Sequence, residues 1–198
     1  GELDLTLAVV ALGVHYDERM KQGCEQSLLK FESVNNLIAA PEIRMTMDDL
    51  RRHGPETLGG ELHAMLTGYG YDIEVINADD VLIEPQYVAQ NRTNRRILQL
   101  HDVWHLVGGY GLTSGGELAI SGFQLAQFGQ NYSARFLAVV AAKTAFSAPE
   151  FLPMVYQVTF DGWRHGRAAP ELIDAPWHEL IGKPIADIRQ QYGMAALD

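Results

Sequence analysis

Residues 85–117 read PQYVAQNRTNRRILQLHDVWHLVGGYGLTSGGE, and the fold turns on how this stretch is read. Tyr87, Val88, Ile97, Leu98, Val103 and Leu106 recur at helical spacing. They predict a helix from Pro85 to the glycines at 108, 109 and 111, interrupted around Asn91 to Asn94. The glycines must end it, because a left-handed cap suits a residue without Cβ. Ser114, with Glu117 three residues later, has the form of a capping box and starts the next helix.

Working outward, the same signals recur. Leu5, Val9 and Leu12, then Leu28, Phe31, Val34 and Ile38, predict two amphipathic helices opening the domain. Thr46 before Asp48 and Asp49, closed by Gly54 and Pro55, marks a short helix. The Tyr71–Ile76 run alternates like a half-buried strand. Ser147, Pro149 and Glu150 start a further helix, and Lys183-Pro184 precedes a short last one that carries Ile185, Ile188 and Tyr192 and ends at Gly193. The expected fold class is mainly α, one helical-bundle domain over residues 1–198.

Composition narrows the function. The 198 residues are 47% hydrophobic and 20% charged, which is ordinary for a globular chain able to bury a core. Fifteen basic against twenty-five acidic residues give a net charge of −10, which would repel a phosphate backbone, so no nucleic-acid partner is expected. Cys24 is the only cysteine, so neither an intrachain disulfide nor a thiolate metal finger can form. The most apolar stretches, Leu5–Val14 and Phe136–Ala142, are about half the length a membrane span needs.

The chemistry sits in His101-Asp102-Val103-Trp104-His105, followed after eleven residues by Glu117. At about 100° per residue, Asp102 lies near 100° and His105 near 40° from His101, so one helix presents three ligands in a quarter-turn arc. Two imidazoles one turn apart beside a carboxylate suit a divalent cation of borderline hardness. Glu117, at the start of the next helix, would return to the same end of the domain through a helical hairpin and join as fourth ligand. Blander roles stay open: Asp102 as a partner of Arg95 or Arg96, Glu117 as the capping-box residue, each histidine as a hydrogen-bonded structural residue. The histidines at 15, 53, 63, 165 and 178 have no such company and read as structural or surface residues. His-Asp-x-x-His is also the zinc-peptidase motif with its general base shortened by one methylene, and an adjacent His-Asp pair occurs in a class of phosphohydrolases. Zinc-dependent hydrolysis therefore stands as a minor alternative.

His-Asp-x-x-His, eleven residues and then Glu resembles the signature of the fourth coenzyme Q (ubiquinone) biosynthesis protein family. The flanks agree: Leu58-Gly59 after Gly54-Pro55, Tyr87-Val88 with Arg92, Arg95 and Arg96, Gly116-Glu117, Gly162-Trp163 with Gly166, Trp177 with Glu179, and Pro184-Ile185 to Ile188-Arg189. The resemblance runs from about Thr57 to Tyr192. It departs at Ile120-Ser121-Gly122-Phe123-Gln124, where the family more often has a Lys-Trp-Phe-Glu type of sequence.

What the resemblance implies is a mainly helical protein that binds zinc through His101, Asp102, His105 and Glu117 and works on a polyprenylated ubiquinone precursor. Two functions of different class follow. The first is an enzyme that replaces the C1 carboxylate of a polyprenyl hydroxybenzoate with hydroxyl, the metal acting as Lewis acid. Because zinc has no redox chemistry, iron or manganese in the same site is an alternative. The second is a scaffold or lipid-presenting protein organising other ubiquinone-biosynthesis enzymes, with apolar helices such as Phe136–Ala142 lining a tail groove. Either fits a cytoplasmic protein or one held peripherally at the inner face of a membrane (the mitochondrial matrix side in a eukaryote) by an apolar patch, with a homodimer as a further expectation.

Overall fold

The computed structural model describes residues 16–73 and 82–197, and among them every regular element is helical. In chain order these are α1 (Glu18–Leu28), α2 (Glu32–Ala39), α3 (Met47–Arg51), α4 (Leu58–Tyr69), α5 (Val88–Gly108), α6 (Ser114–Phe128) and α7 (Asn131–Ser147). A 3₁₀ turn (Pro149–Phe151) leads into α8 (Leu152–Ala168), followed by α9 (Trp177–Leu180) and α10 (Ile185–Tyr192). The expected mainly α single domain is what forms. The opening helix through Leu5–Leu12, His15 and most of the Tyr71–Ile76 run fall outside the described residues, and residues 71–73 form no strand. No helix among the described residues is long and apolar enough to cross a membrane.

One apolar core runs from Leu28 to Met194 and has α5 as its axis, through Ile97, Leu100, Val103, Trp104 and Val107. Contrary to the expected interruption, α5 is continuous over its 21 residues. The polar run that suggested a break is engaged outward instead. The Asn91 side chain bonds the backbone N–H of Ile83 at 2.9 Å. The Arg92 guanidinium bonds the carbonyls of Leu37 and Ala40 at 2.7 Å each, and Arg96 donates to Ile173 and Ala175. These side chains have distant partners and so do not compete for the helix's own backbone.

Both ends of α5 are satisfied from far along the chain. The Glu25 carboxylate of α1 accepts from Ala89 N and Gln90 N at 2.7 and 3.0 Å, placing negative charge where the helix end is positive. At the other end the Arg189 guanidinium of α10 donates to the Val107 and Leu106 carbonyls at 2.9 Å each, and Leu197 N donates to Gly108 O at 2.8 Å. Gly109, with φ 76°, then turns the chain as expected.

Two further expectations are corrected, and one helix was not foreseen. Leu28 to Ile38 is two helices, because the chain extends at Phe31 (φ −90°, ψ 129°) and the Asn35 amide binds the Leu29 and Phe31 carbonyls at the joint. Ser147 closes α7, donating to the Lys143 carbonyl, while Pro149 opens only the 3₁₀ turn before α8. The glycine-rich α4 had no clear sequence signal; its first amides are held by Lys183 O and Ile181 O at 2.8 and 2.7 Å. The short helix capped by Thr46 and the last helix ending at Gly193 form as expected.

Helices α6 and α8 cross at backbone contact. A Cβ on Gly162 would lie 1.9 Å from the Ala119 carbonyl oxygen, and one on Gly122 would lie 2.2 Å from that of Thr159. Only glycine permits this approach. It seats α8 against the helix that begins with Glu117.

Candidate metal centre

His101, Asp102 and His105 project from the last turns of α5, and Glu117 from the first turn of α6. The five-residue connection reverses the chain and brings Glu117 back to His101 and His105. His101 Nε2 and His105 Nε2 are 3.2 Å apart. Glu117 reaches both, with Oε2 at 3.3 Å from His101 and Oε1 at 3.1 Å from His105. The donor atoms of His101, Asp102 and His105 all lie within 4.8 Å of one another. Asp102 thus stands at the edge of the cluster, with the other three groups at its centre.

The capping-box reading of Glu117 fails. Helix α6 is capped by Thr113, whose hydroxyl accepts from Gly116 N at 3.2 Å, and Glu117 is one position too late for that role. Its carboxylate is left for the histidines. The arginine partners considered for Asp102 are also engaged elsewhere: Arg95 pairs with Glu42 at 3.1 Å, and Arg96 holds two carbonyls. Among the described residues, His53, His63, His165 and His178 stay outside the cluster.

Orientation comes from neighbours. His105 Nδ1 is 3.2 Å from the Tyr110 carbonyl oxygen, which can only accept, so the proton sits on Nδ1 and the Nε2 lone pair faces the cluster. His101 Nδ1 faces the Gln124 side-chain amide at 3.5 Å. His105 is fully enclosed, its side chain 1% exposed, whereas those of His101 and Glu117 are each 34% exposed. The cluster is therefore closed behind and open to solvent on one side.

The electrostatics favour positive charge. Burial works against a charged His101, but the Glu117 carboxylate outweighs it, with Asp102 adding, and its pKa rises above the usual 6.5. Burial alone would raise the Glu117 pKa; hydrogen bonds to both imidazoles reverse this and hold it far below the usual carboxylate range. Two imidazole nitrogens and a carboxylate aimed at one point favour positive charge there, carried by a proton or a metal ion.

The donor set fits a metal ion. Bonds of about 2.0–2.1 Å in a tetrahedron imply donor separations of about 3.3 Å, and the three central separations are 3.1, 3.2 and 3.3 Å. Two nitrogen and two oxygen donors suit zinc, and equally iron or manganese.

Sequence reasoning named these four residues and missed those behind them. Tyr110 acts through its main-chain carbonyl, for which no sequence signal exists. Gln124 did leave a signal, lying seven residues after Glu117 and so on the same face of α6.

No curated protein matches the chain. A crystal structure of a protein from Nostoc punctiforme PCC 73102, provisionally named as a ubiquinone biosynthesis protein, superposes with a TM-score of 0.73 at 21% identity, covering 96% of this chain and 86% of that one. At that identity the likeness establishes the fold. The family described as Coenzyme Q (ubiquinone) biosynthesis protein Coq4 matches residues 37–198, beginning about twenty residues ahead of the resemblance read from the sequence, and this chain belongs to that family.

Proposed function

We propose that the protein acts on a polyprenylated hydroxybenzoate precursor of ubiquinone and assists oxidative removal of the C1 carboxylate at a metal held by His101, His105 and Glu117, with Asp102 as fourth ligand. The observation that carries this reading is the convergence of two Nε2 atoms and both Glu117 oxygens at 3.1–3.3 Å on a corner with one open side. The metal would supply Lewis acidity, binding and orienting the ring carboxylate or the neighbouring phenolic oxygen. Tyr110 fixes His105 so that its Nε2 points outward, and the exposed edges of His101 and Glu117 leave a path for the ring. Asp102, set back from the centre, either completes the ligand set or accepts the proton of the phenol. The ring loses carbon dioxide and gains hydroxyl, a two-electron oxidation. It balances if dioxygen takes the electrons and water supplies the oxygen, giving the phenol, carbon dioxide and hydrogen peroxide.

The test is metal content of the purified wild type beside His101→Ala and Glu117→Ala, followed by incubation of each in air with a carboxyl-labelled polyprenyl hydroxybenzoate. Stoichiometric metal and label release in the wild type alone support the reading. Metal without label release removes the catalytic part, and a metal-free wild type removes the site.

A second reading, a lipid-presenting or scaffold protein, rests on the arm formed by α7 and α8. Only Ser133 is buried along the apolar α7, and Phe146, Phe151, Met154 and Phe160 are exposed by 94%, 52%, 54% and 59%. Such a surface fits a membrane, a prenyl tail, partner enzymes of the pathway or a second copy of the chain. Under this reading the precursor is retained unchanged.

A further inference from the structure

Behind His101 lies a chain of buried polar side chains that ordinary packing does not require. Gln124, Gln130 and Ser133 are 3%, 3% and 1% exposed. The Ser133 hydroxyl lies 2.6 Å from Gln124 Oε1 and 2.6 Å from Gln130 Oε1, while the nitrogen of the Gln124 amide faces His101 Nδ1 at 3.5 Å.

A hydroxyl has one proton and cannot donate to two carbonyl oxygens, so one of the two amides must present its nitrogen to Ser133. There are two solutions. If Gln130 turns, Ser133 donates to Gln124, the Gln124 NH₂ donates to His101 Nδ1, and the His101 proton is forced onto Nε2, where it blocks ligation. If Gln124 turns, its NH₂ donates to Ser133, Ser133 donates to Gln130, and its carbonyl accepts from His101 Nδ1–H. The Nε2 lone pair of His101 then faces His105 and Glu117. Each group on the path from His101 to Gln130 has a partner in either state, so the direction of one amide and the tautomer of the ligand change together.

We propose that Gln124, held by Ser133, is the positioning residue that sets His101 in its metal-binding tautomer, as the Tyr110 carbonyl does for His105. This rests on the metal reading of the site. Gln124 touches no reacting atom; it acts through His101, as hydrogen-bonded partners of ligating histidines do elsewhere.

The experiment compares wild type, Gln124→Met, Gln124→Glu and Ser133→Ala by Zn²⁺ competition against a chromophoric chelator and by the visible spectrum of the Co²⁺ form. Imidazole ¹⁵N shifts report the His101 tautomer. Gln124→Met keeps the length of the side chain and removes its acceptor, and the expected result is about 10–100-fold weaker Zn²⁺ binding with an altered Co²⁺ spectrum. Gln124→Glu restores an acceptor and is expected to bind within about threefold of wild type or more tightly, with Ser133→Ala falling between. Wild-type affinity in Gln124→Met, or a proton on Nε2 of His101 in the zinc-loaded wild type, overturns the proposal and leaves the metal site standing. A wild type that binds neither ion overturns both. Should Gln124→Met fail to fold, the Gln124→Glu affinity and the wild-type ¹⁵N shifts still decide.

Discussion

Two corners of this molecule, side by side, hold histidine, one against the rings of Tyr110 and Phe123 and the other against a second histidine, and their hydrogen bonds are opposite in kind. At the first, His165 Nε2 lies 2.9 Å from the Ala195 carbonyl and must be the donor there, which leaves Nδ1 to accept from the Tyr110 hydroxyl at 2.7 Å. Both nitrogens are satisfied by the protein. At the second, His101 and His105 each turn Nδ1 towards the protein and Nε2 towards the other, with Glu117 between them. Two imidazole nitrogens facing each other beside a carboxylate favour positive charge between them, either a proton shared with Glu117 or a metal ion. A histidine with complementary partners on both sides is structural; a pair with conflicting ones marks a binding site.

The comparison can be broken most sharply by replacing one histidine at each corner. His105→Ala is expected to weaken metal binding by at least about 100-fold, beyond the range typical of second-layer partners. His165→Ala should leave one metal per chain, as measured by equilibrium dialysis with elemental analysis. Equal losses would mean that the two corners do not differ in the way described. Tyr110→Phe is the finer test, because that residue serves both corners with different atoms. Its hydroxyl holds His165, whereas its main-chain carbonyl holds His105. Stability should fall by about 1 kcal/mol in denaturant titration, with unchanged metal affinity.

The smallest effect is in pH. Burial, assisted by the Arg189 charge and opposed by the Ala195 carbonyl, lowers the His165 pKa below its usual 6.5. Between those two values the unfolded chain binds the proton that the native state refuses, so stability rises with pH across the window and is lost on acidification below 6.5. The difference in melting temperature between wild type and His165→Gln, followed from about pH 7.5 to about pH 5, should shrink towards acid. A constant difference would show that the imidazole stays neutral through that range or plays no part.

The candidate ligands were legible because they lie on one helix and the start of the next, where spacing alone predicts direction. The last helix was legible for the same local reason. Helix α5 was misjudged at Asn91–Asn94 because polar residues weaken a helix only when their side chains bind nearby backbone; here Asn91 and Arg92 bind Ile83, Leu37 and Ala40. Glu117 admitted two roles until Thr113 proved to be the cap. Glycines that ordinarily argue against helix hid α4 and the α6–α8 crossing, because the reason for them is a neighbouring backbone far along the chain. Arg189, Gln124 and Ser133 are common residue types whose partners are set only by the fold.

The two caps on α5 also bear on how the protein matures. The Glu25 cap precedes the amides it binds by 64 and 65 residues, while the Arg189 cap follows its carbonyls by 83 and 82. During synthesis α5 and α6 leave the ribosome with one end of the ligand-bearing helix secured and the other still fraying. At usual elongation rates the closing cap arrives roughly 4–16 s later. The candidate ligands lie at the end that is capped last, so an ion taken up during translation would meet a site that Arg189 does not yet hold.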